Sequence, residues 1–451
     1  MVRKVWWIVV VALALLTAAC GSAPATPAAP AQAPAAQQPT QAPAAQQTAA
    51  PKTEAAKATE PAKAAAAAPA AGKATGEPIK IGGIFDLTGA TGDVGTPYAK
   101  GVQHYVEWKN NNGGINGRPI QLIGQDYGYK VPNAEQLYSQ YTTQDKVLAI
   151  QGWGTADTEA LRPKISEDKI PYMSASYSIN LANPKETPYN FLVGTTYSEQ
   201  LQAAMQWMLQ DWKAKGKTGV PKIAYLHSNS GFGLSPLDDG DKFATSNGME
   251  KGLRIPMLAA TADMTAQLTQ AQQYGADYIF IQNTSGAGAT ALKAAKSLGM
   301  LPKVQVVCLN WCTDDLTVKL AGEAAEGLVG ASPFAFPDSS AAGMKDMAEF
   351  AKSKGTTIEA EGLHYAQGWT TMAVMAEGLK RALDAGKPLS GENLKTALET
   401  MKDFDTGGVT TKLTFTPDDH RGSKALRLYQ VKGGKWTPMT DYIQTNLSIA
   451  K

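Results

Sequence analysis

The chain lacks an excess of charge of either sign. It contains 42 lysine and arginine residues against 40 aspartate and glutamate residues, which gives a net charge of +2. A protein that binds nucleic acid normally carries a strongly basic surface, so this balance argues against such a partner. With 451 residues, 43% of them hydrophobic, the chain is long enough to bury a sizeable core and to form more than one domain.

The chain also lacks the motifs of common enzymes. Its four histidines are scattered, at positions 104, 227, 364 and 420, and no G-x-S-x-G motif marks a serine nucleophile. A loose dinucleotide fingerprint, Gly286-x-Gly288-x-x-Ala291, is followed by a strand that ends in "CLN", without an acid for a ribose. We therefore expect no enzyme activity, no catalytic residues and no cofactor.

Cysteine is scarce, with three residues in the chain. Cys308 and Cys312 have no histidine nearby, so they make a poor zinc site and we expect no metal. In an exported protein the two residues could form a disulfide if they lie in a loop, whereas a regular helix would hold them in poor geometry. The sequence leaves both possibilities open.

The N-terminus has an apolar run that is shorter than the roughly 20 residues of a membrane-spanning helix. Arg3 and Lys4 precede "VWWIVVVALALLTAA", which ends at Cys20. This order is typical of a secretory signal, which we assign to residues 1–19. "LTAAC" resembles a bacterial lipobox, whose cysteine is acylated, although Thr17 stands where the pattern prefers leucine. The resemblance implies lipidation of Cys20; ordinary cleavage beside an incidental cysteine is the alternative.

Residues 21–76 contain no valine, isoleucine, leucine or aromatic residue. A segment rich in alanine, proline and glutamine cannot bury enough apolar surface to offset its ordering entropy, so we expect it to stay disordered. Following a lipid anchor, residues 20–78 would act as a tether for a folded body.

From residue 79 the pattern alternates between strands and helices. "IKIGGIF", "PIQLIGQD", "VLAIQ" and "IPYMSAS" predict strands, with helices such as "YAKGVQHYVEWKNNN" between them. A second unit repeats the alternation with "KIAYLHS", "ADYIFIQ" and "VQVVCLN", and the chain ends with two more helices and strand-like "KLTFTP" and "KALRLYQVKGGKW". This order predicts an α/β fold with parallel sheets, whose ligands bind in loops at the carboxyl ends of the strands.

Several segments resemble the branched-chain amino-acid-type solute-binding proteins of ABC importers. They include "LTG" at 87–89, "GGINGRPI" at 113–120, "NPKETPYNFLV", "AGEAAEGLVG" and "FTPDDHRGSKALRLYQV". The resemblance covers residues 79–442 and implies the type I periplasmic-binding-protein fold, with two doubly wound parallel-sheet lobes joined by a three-strand hinge. It assigns residues 79–195 and 333–415 to the N-terminal lobe and residues 196–332 and 416–451 to the C-terminal lobe.

The same resemblance implies the function. We expect a monomer, lipid-anchored on the extracytoplasmic face of the cell membrane, that captures a small carboxylate-bearing solute between its lobes and delivers it to ABC permease subunits. The solute would be a branched-chain or other amino acid, an amide or an aromatic acid. A receptor domain of the same fold that signals to a membrane kinase is the alternative, because the sequence does not separate import from sensing.

The stretch "AIQGWGTADTEAL" places Trp153, Gly154 and Thr155 at the junction between a predicted strand and the helix that follows it. In the family, the matching loop holds the ligand's carboxylate with backbone N–H groups of the helix N-terminus and a hydroxyl, and the hydroxyl position falls on Thr155. Trp153 would form an apolar wall. The alternatives are that Thr155 is an N-cap and that Trp153 is a core residue.

The resemblance also implies further ligand contacts from both lobes. They are Ala175, Ser176, Tyr177, Tyr197, Phe232, the segment from Asn283 to Ser285, Asn310 and Trp311. Each of them could instead be an ordinary strand-end or turn residue.

The sequence departs from the family pattern at two of these positions. Asn310 lies where amino-acid binders usually offer an acid to the ligand's ammonium group, and Phe232 replaces a tyrosine. A desolvated ammonium without a carboxylate partner is costly, so the ligand need not be an α-amino acid. Trp153, Tyr177, Phe232 and Trp311 would together form an aromatic cleft.

Overall fold

A computed structural model describes residues 73–257, 263–338 and 340–449. The predicted signal peptide, the lipidation site at Cys20 and most of the predicted tether lie outside these ranges. The end of the predicted tether is joined to the folded body, since the N–H of Ala74 donates to the carbonyl of Asn110 at 2.9 Å. No helix within the described ranges has the length and apolar character needed to cross a bilayer.

Strands and helices alternate along most of the described chain. The strands are β1 Ile79–Phe85, β2 Ile120–Asp126, β3 Ala149–Gly152, β4 Tyr172–Ser174, β5 Asn190–Phe191, β6 Ile223–Ser228, β7 Leu253–Met257, β8 Tyr278–Gln282, β9 Gln305–Cys308, β10 Val329–Ser332, β11 Ala425–Lys432, β12 Lys435–Pro438 and β13 Ile443–Gln444. The helices are α1 Gly92–Asn111, α2 Val131–Gln140, α3 Thr155–Asp168, α4 Tyr197–Ala214, α5 Gly231–Leu234, α6 Leu237–Ser246, α7 Thr265–Tyr274, α8 Ser285–Ser297, α9 Asp315–Ala321, α10 Lys345–Ser353, α11 Ile358–Glu361, α12 Leu363–Asp384 and α13 Gly391–Glu399.

The first sheet has five parallel strands in the order β2-β1-β3-β4-β5. Its central strands are buried, as their runs of branched apolar residues predict. Helices α1 and α12 cross in close contact on this side of the molecule. A side chain at Gly101 would clash with the carbonyl of Tyr365, and one at Gly368 with the carbonyl of Tyr98. These two glycines bring α12 onto the first sheet's helices, although it lies far along the chain.

The second sheet has the order β12-β11-β10-β9-β8-β6-β7, and β13 pairs with β11. Strands β6 to β10 are mutually parallel, whereas β11 runs antiparallel to β10 and β12. The "GGK" turn joins β11 to β12 through Gly433 and Gly434, whose φ values are +57° and +74°. Two consecutive positive φ angles form the tight hairpin turn that glycine favours.

Three local expectations differ from the structure. "KLTFTP" forms only isolated bridges, between Phe404 and Leu413 and between Thr416 and Asp419, and is not a strand. Helix α1 begins at Gly92, earlier than expected, because the glycine-rich loop is already wound around the carboxylate of Asp86. Strand β7, with its alternating burial, was not predicted, because a central proline interrupts its apolar pattern.

The chain forms two lobes and passes between them three times. The first lobe contains the first sheet with α1–α3 and α10–α13, and the second lobe contains the second sheet with α4–α9. The first and third passages lie side by side. The N–H of Leu192 donates to the carbonyl of His420 at 2.9 Å, and the N–H of Gly422 donates to the carbonyl of Leu192 at 2.7 Å. These hydrogen bonds make the passages a small strand-like hinge.

A buried ion-pair network fixes the hinge to the second lobe. Arg421 contacts Glu199 at 2.7 Å and Asp419 at 2.9 Å. Glu199 is fully buried in the first turn of α4, where it also accepts hydrogen bonds from the N–H and hydroxyl of Thr196 at 2.8 Å. Neither charge is left without a partner, which is the condition for a buried ion pair to be tolerated.

A disulfide joins Cys308 at the end of β9 to Cys312, with 5.5 Å between the Cα atoms. Cys308 precedes a 3₁₀ turn, Asn310–Cys312, and Cys312 is the last residue of that turn, so the pair does not lie in a regular α-helix. Of the two arrangements that the sequence left open, the structure therefore has the loop-like one.

Replacing Arg421 with methionine should destabilise the protein, because Glu199 would stay buried without its cation. Removing one partner of a buried pair costs about 3–5 kcal/mol, which chemical denaturation followed by circular dichroism would detect at pH 7. Arg254→Met is the matched control, since Arg254 also pairs with two acidic side chains but its own side chain is 37% exposed, against 6% for Arg421. The control should lose less than about 1 kcal/mol. Equal losses in the two variants would contradict the structural role of Arg421.

Candidate ligand-binding cleft

The loops at the carboxyl ends of the strands of both lobes meet in the middle of the molecule. From the first lobe come the loops after β1, β2, β3 and β4, and from the second lobe those after β6, β8 and β9. Their contact is close: the rings of Trp153 and Trp311 lie 5.0 Å apart. This edge of a parallel sheet is where ligands of such folds bind.

A small cavity of about 20 Å³ lies between these loops. It is lined by Thr91, Val94, Tyr129, Trp153, Gly154, Thr155 and Ala175 from the first lobe and by Tyr197, Phe232, Thr284 and Trp311 from the second. These side chains are aromatic, aliphatic or hydroxyl-bearing, and none is ionised at neutral pH. The lining therefore suits a ligand with an apolar body and few hydrogen-bonding groups.

The N-terminus of α3 opens onto this cavity. Gly154 is the N-cap and its extended backbone carries no capping side chain, while Thr155 is the first helical residue. Thr155 therefore does not act as the N-cap, which was the alternative role for it. A side chain at position 154 would collide with the carboxylate of Asp157, which explains the glycine. The N-cap offers the N–H groups of the first turn no side-chain partner, and the helix dipole gives this end a partial positive charge. Both features make it a favourable place for an anion.

Hydroxyl groups surround the same helix end. The hydroxyls of Thr155 and Ser176 are 2.7 Å apart, and both residues are buried. The hydroxyl of Tyr197 interacts with both of them and accepts a hydrogen bond from the indole N–H of Trp311 at 3.0 Å. Each hydroxyl can donate or accept, so the cluster can turn a donor toward a ligand oxygen.

Aromatic rings form the walls. Trp153 contributes a buried indole whose N–H donates to the hydroxyl of Thr91 at 2.8 Å. On the other side, the ring of Phe232 packs against Tyr197 at 5.3 Å. Tyr177 lies one layer behind, stacked on Trp311 with 6.1 Å between ring centres. Trp153 thus both packs in the core and lines the cavity.

The predicted contacts divide into three groups. Trp153, Gly154, Thr155, Ala175, Tyr197, Phe232 and Trp311 line the cavity, while Ser176 and Tyr177 touch lining residues from behind. Asn283 and Asn310 are buried away from it: the Asn283 side chain accepts from the N–H of Thr284 at 2.9 Å, and the backbone N–H of Asn310 donates to Gln200 at 3.1 Å. The side-chain amide of Asn310 makes no hydrogen bond to any residue that the structure describes.

Three lining residues were not predicted, namely Thr91, Val94 and Tyr129, whereas Thr284 lies in the predicted segment Asn283 to Ser285. Thr91 follows strand β1, so the rule that ligands bind at strand ends could have indicated it. Tyr129 has a φ of +57°, an unusual conformation for a bulky residue that concentrates at functional positions. That signal exists only in the folded chain.

Asp157 lies beneath the helix end and affects its charge. Its carboxylate accepts a hydrogen bond from the hydroxyl of Tyr127 at 2.9 Å, and burial raises the pKa of this carboxyl to about 6. At neutral pH Asp157 is therefore mostly ionised. Asp157 thus places a negative charge of this chain at the N-terminus of α3, where its carboxylate also accepts from the N–H of Gly154.

The acids nearest to Asn310 do not reach the cavity. Asp314 is buried and engaged, since it accepts a hydrogen bond from His364 at 2.7 Å and another from Ser285. Asp315 lines a different opening, on the outer side of the lobe contact. Within the described residues, no group of three or more histidine, cysteine or acidic side chains is arranged to hold a metal ion.

Comparisons with known proteins agree with this architecture. The family described as periplasmic binding protein matches residues 78–435. Among curated proteins, the Leu/Ile/Val-binding protein homolog 4 of Brucella abortus (strain 2308) is 24% identical over 274 residues, which is 58% of this chain and 63% of that protein. The chain thus spans somewhat less than two thirds of the length of that relative.

Two solved structures are also similar. A branched-chain amino acid ABC transporter structure from Thermus thermophilus, with bound valine, superposes with a TM-score of 0.77 at 27% identity and covers 83% of this chain and 97% of its own. A substrate-binding protein of an ABC transporter from Aeropyrum pernix has a TM-score of 0.74 at 26% identity, with the same coverage of both chains. The expected fold of two α/β lobes and a hinge is confirmed. Because the family match spans most of the sequence, this chain belongs to the periplasmic binding protein family.

Proposed function

We propose that this protein is the extracytoplasmic substrate-binding component of an ABC importer and that it captures a small carboxylate-bearing solute between its two lobes. The observation that carries the proposal is the N-terminus of α3, whose N-cap, Gly154, has no side chain and which opens onto a cavity between the lobes. The solute's carboxylate would accept from the N–H groups of that helix end and from the hydroxyl of Thr155. Charge-assisted hydrogen bonds of this kind are among the stronger ones in proteins.

We assign residues 79–195 and 333–415 to the N-terminal lobe and residues 196–332 and 416–451 to the C-terminal lobe. The assignment is supported by the sheets, since β1–β5 and β6–β13 fall in separate sheets. It is also supported by α12, which returns to α1 after the second passage. Closure about the hinge would trap the solute, and only a solute that prefers the closed form would drive it.

The lining of the cavity limits the solute. The enclosed space of about 20 Å³ holds about one water molecule, so the lobes must move apart to admit a solute, and the chemistry of the lining is the guide to its class. None of the lining residues is acidic, so an ammonium group on the solute would be desolvated without a carboxylate partner. The cavity therefore favours a monocarboxylate with an apolar or aromatic body over a zwitterion.

The relatives' names support delivery to a membrane transporter and not signalling. The cavity also lacks a paired nucleophile and base among the residues that line it, which favours binding without chemistry. We assign the folded body to the extracytoplasmic side, tethered through an acylated Cys20 after removal of residues 1–19, and we expect it to work as a monomer that meets ABC permease subunits.

A thermal-shift screen tests the proposed solute class. We expect small monocarboxylates with branched or aromatic side chains to raise the melting temperature, because a ligand that binds only the folded state stabilises it by about 2.7 kcal/mol at one hundred times its Kd. The primary amides of the same acids should raise it less, since they bring no negative charge to the N-terminus of α3. The corresponding amino acids form the third arm of the panel.

A larger shift with the amides than with the acids would contradict carboxylate capture. A larger shift with the amino acids would contradict the inference drawn from the missing acidic residue but not the binding function. Scattering with a hit and without it would then show whether the protein becomes more compact, as hinge closure requires.

Replacing Thr155 with valine should weaken binding of the best acid, because the change removes the hydroxyl while keeping the shape. A hydrogen bond to a charged group contributes about 1.5–3 kcal/mol, so calorimetry should record a Kd about 10 to 100 times higher. Thr396→Val is the matched control: Thr396 lies exposed on α13 and bonds only the carbonyl of Glu392. An unchanged Kd in Thr155→Val would remove this residue from the site.

A further inference from the structure

A second set of polar contacts joins the lobes beside the cavity. His364 belongs to α12 of the first lobe, and its Nε2 lies 2.7 Å from the carboxylate of Asp314, which caps α9 of the second lobe. Ser285, in the first turn of α8, donates its hydroxyl to the same carboxylate. The His364 and Asp314 side chains are only 4% and 3% exposed, so this contact is sealed from water when the lobes meet.

The geometry favours a charged imidazole. Nδ1 of His364 lies 2.7 Å from Oε1 of Gln367, and Nε2 lies 2.7 Å from Oδ2 of Asp314. A carboxylate within hydrogen-bond distance of a buried imidazole stabilises its charged form, and the imidazolium can donate to both neighbours. Opening the lobes separates the Asp314 carboxylate from the ring. The imidazolium then loses the negative charge that stabilises its second proton.

The contact is coupled to the cavity through one side chain. The indole of Trp311 lines the cavity and packs against the imidazole of His364 with 5.0 Å between ring centres. A parallel contact lies on the other side: Asp93 of α1 accepts from the N–H of Gly286 in α8 at 2.8 Å, next to the lining residue Thr284. These contacts can form only when the two walls of the cavity are together.

We infer that His364 is a positioning residue for solute capture: its imidazolium latches the first lobe to Asp314 of the second, so that closure of the cleft takes up a proton. The inference rests on the proposed function only in treating closure as the step that traps a solute. The latch itself is a property of the two lobes and can be tested without any solute.

Most charged groups around the latch are acidic, and acidic groups favour the charged form of the imidazole. The carboxyls of Asp93, Asp314 and Asp315 face the imidazole, and Lys319, Glu359 and Glu361 line the same opening. Burial alone lowers the pKa of His364, but the hydrogen bond and charge of Asp314 outweigh it, so the pKa stands above its usual value. Burial raises the pKa of Asp314, and the contact with His364 more than reverses this, so its pKa is lowered. Burial and Asp314 raise the pKa of Asp315 to about 6.

The directions of these pKa shifts define the pH range in which the latch stabilises the closed form. The contribution of His364 is complete below its open-state pKa, about 6.5, and is lost as the pH rises through the higher value of the closed form. The contribution of Asp314 is present above its usual pKa of about 3.9 and is lost as the pH falls through its lowered value. Asp93 and Asp315, whose pKa values are raised, also favour closure when protonated. The latch should therefore be strongest between about pH 4 and 6.5.

A cysteine pair can report closure without a solute. The hydroxyls of Ser178 in the first lobe and Ser235 in the second lie 3.1 Å apart, so cysteines at these positions meet only in the closed form. The full-length Ser178→Cys, Ser235→Cys protein is equilibrated in glutathione buffers, and the effective concentration of the new disulfide measures the population of the closed form. Adding His364→Gln should lower it about tenfold at pH 6 and much less at pH 8.

His104→Gln is the matched control, because His104 also has a side-chain hydrogen-bond partner, the hydroxyl of Tyr365, but this partner lies within the first lobe. It should leave the effective concentration unchanged at both pH values. If His364→Gln behaves like this control, or lowers the value equally at pH 6 and 8, the proton-linked latch is wrong, since a purely structural role would carry no pH dependence.

A measurement on the unmutated histidine covers the case in which His364→Gln does not fold. In the protein locked by the cysteine pair, imidazole NMR should give His364 a pKa clearly above 6.5. A pKa at or below that value in the locked form would overturn the inference. Neither experiment uses a solute, so a failed ligand screen and a failed latch are distinguishable.

Discussion

The closed cleft depends on the contacts of one side chain, the indole of Trp311. It is 3% exposed, and it packs against Trp153 of the first lobe, stacks on Tyr177 and donates its N–H to Tyr197. The disulfide between Cys308 and Cys312 spans the short turn that carries it. A crosslink over so short a loop leaves the turn few alternatives, so the aromatic wall of the second lobe reaches the cleft in a defined position.

The two helix ends that face the cleft are not equivalent. The N-terminus of α8 is already occupied, because the carboxylate of Asp93 accepts from the N–H of Gly286 across the lobe contact. The N-terminus of α3 opens onto the cavity with no capping side chain. Both ends attract anions for the same physical reason. Asp93 of the opposite lobe occupies the end of α8, whereas the end of α3 is approached by Asp157 of its own first turn and opens onto the cavity.

The sequence predicted the features that depend on local pattern. Alternating apolar runs and helical spacings indicated most strands and helices, and the strand-to-helix junction at Gly152 to Thr155 indicated the cavity wall that the structure has there.

Features that depend on distant partners could not be predicted from the sequence. His364 is an isolated histidine in the sequence, and only the return of α12 to the first lobe brings it to Asp314, 50 residues away. Tyr129 reaches the cavity through a positive φ that no residue pattern signals. Asn310 and Asn283 were placed by resemblance, and they turn inward because a loop position does not fix the direction of a side chain.

The hinge and the cavity share a single helical turn. Tyr197, the first residue of α4, lines the cavity, and its N–H donates to the carbonyl of Tyr177 in the first lobe at 2.8 Å. Two residues later, Glu199 pairs with Arg421 on the third passage of the chain. The turn that anchors the moving passages therefore also carries Tyr197, whose hydroxyl lies at the N-terminus of α3. Because of this, rotation about the hinge changes the cavity. The wall of the cavity and the anchor of the hinge thus lie two residues apart in the chain, at Tyr197 and Glu199.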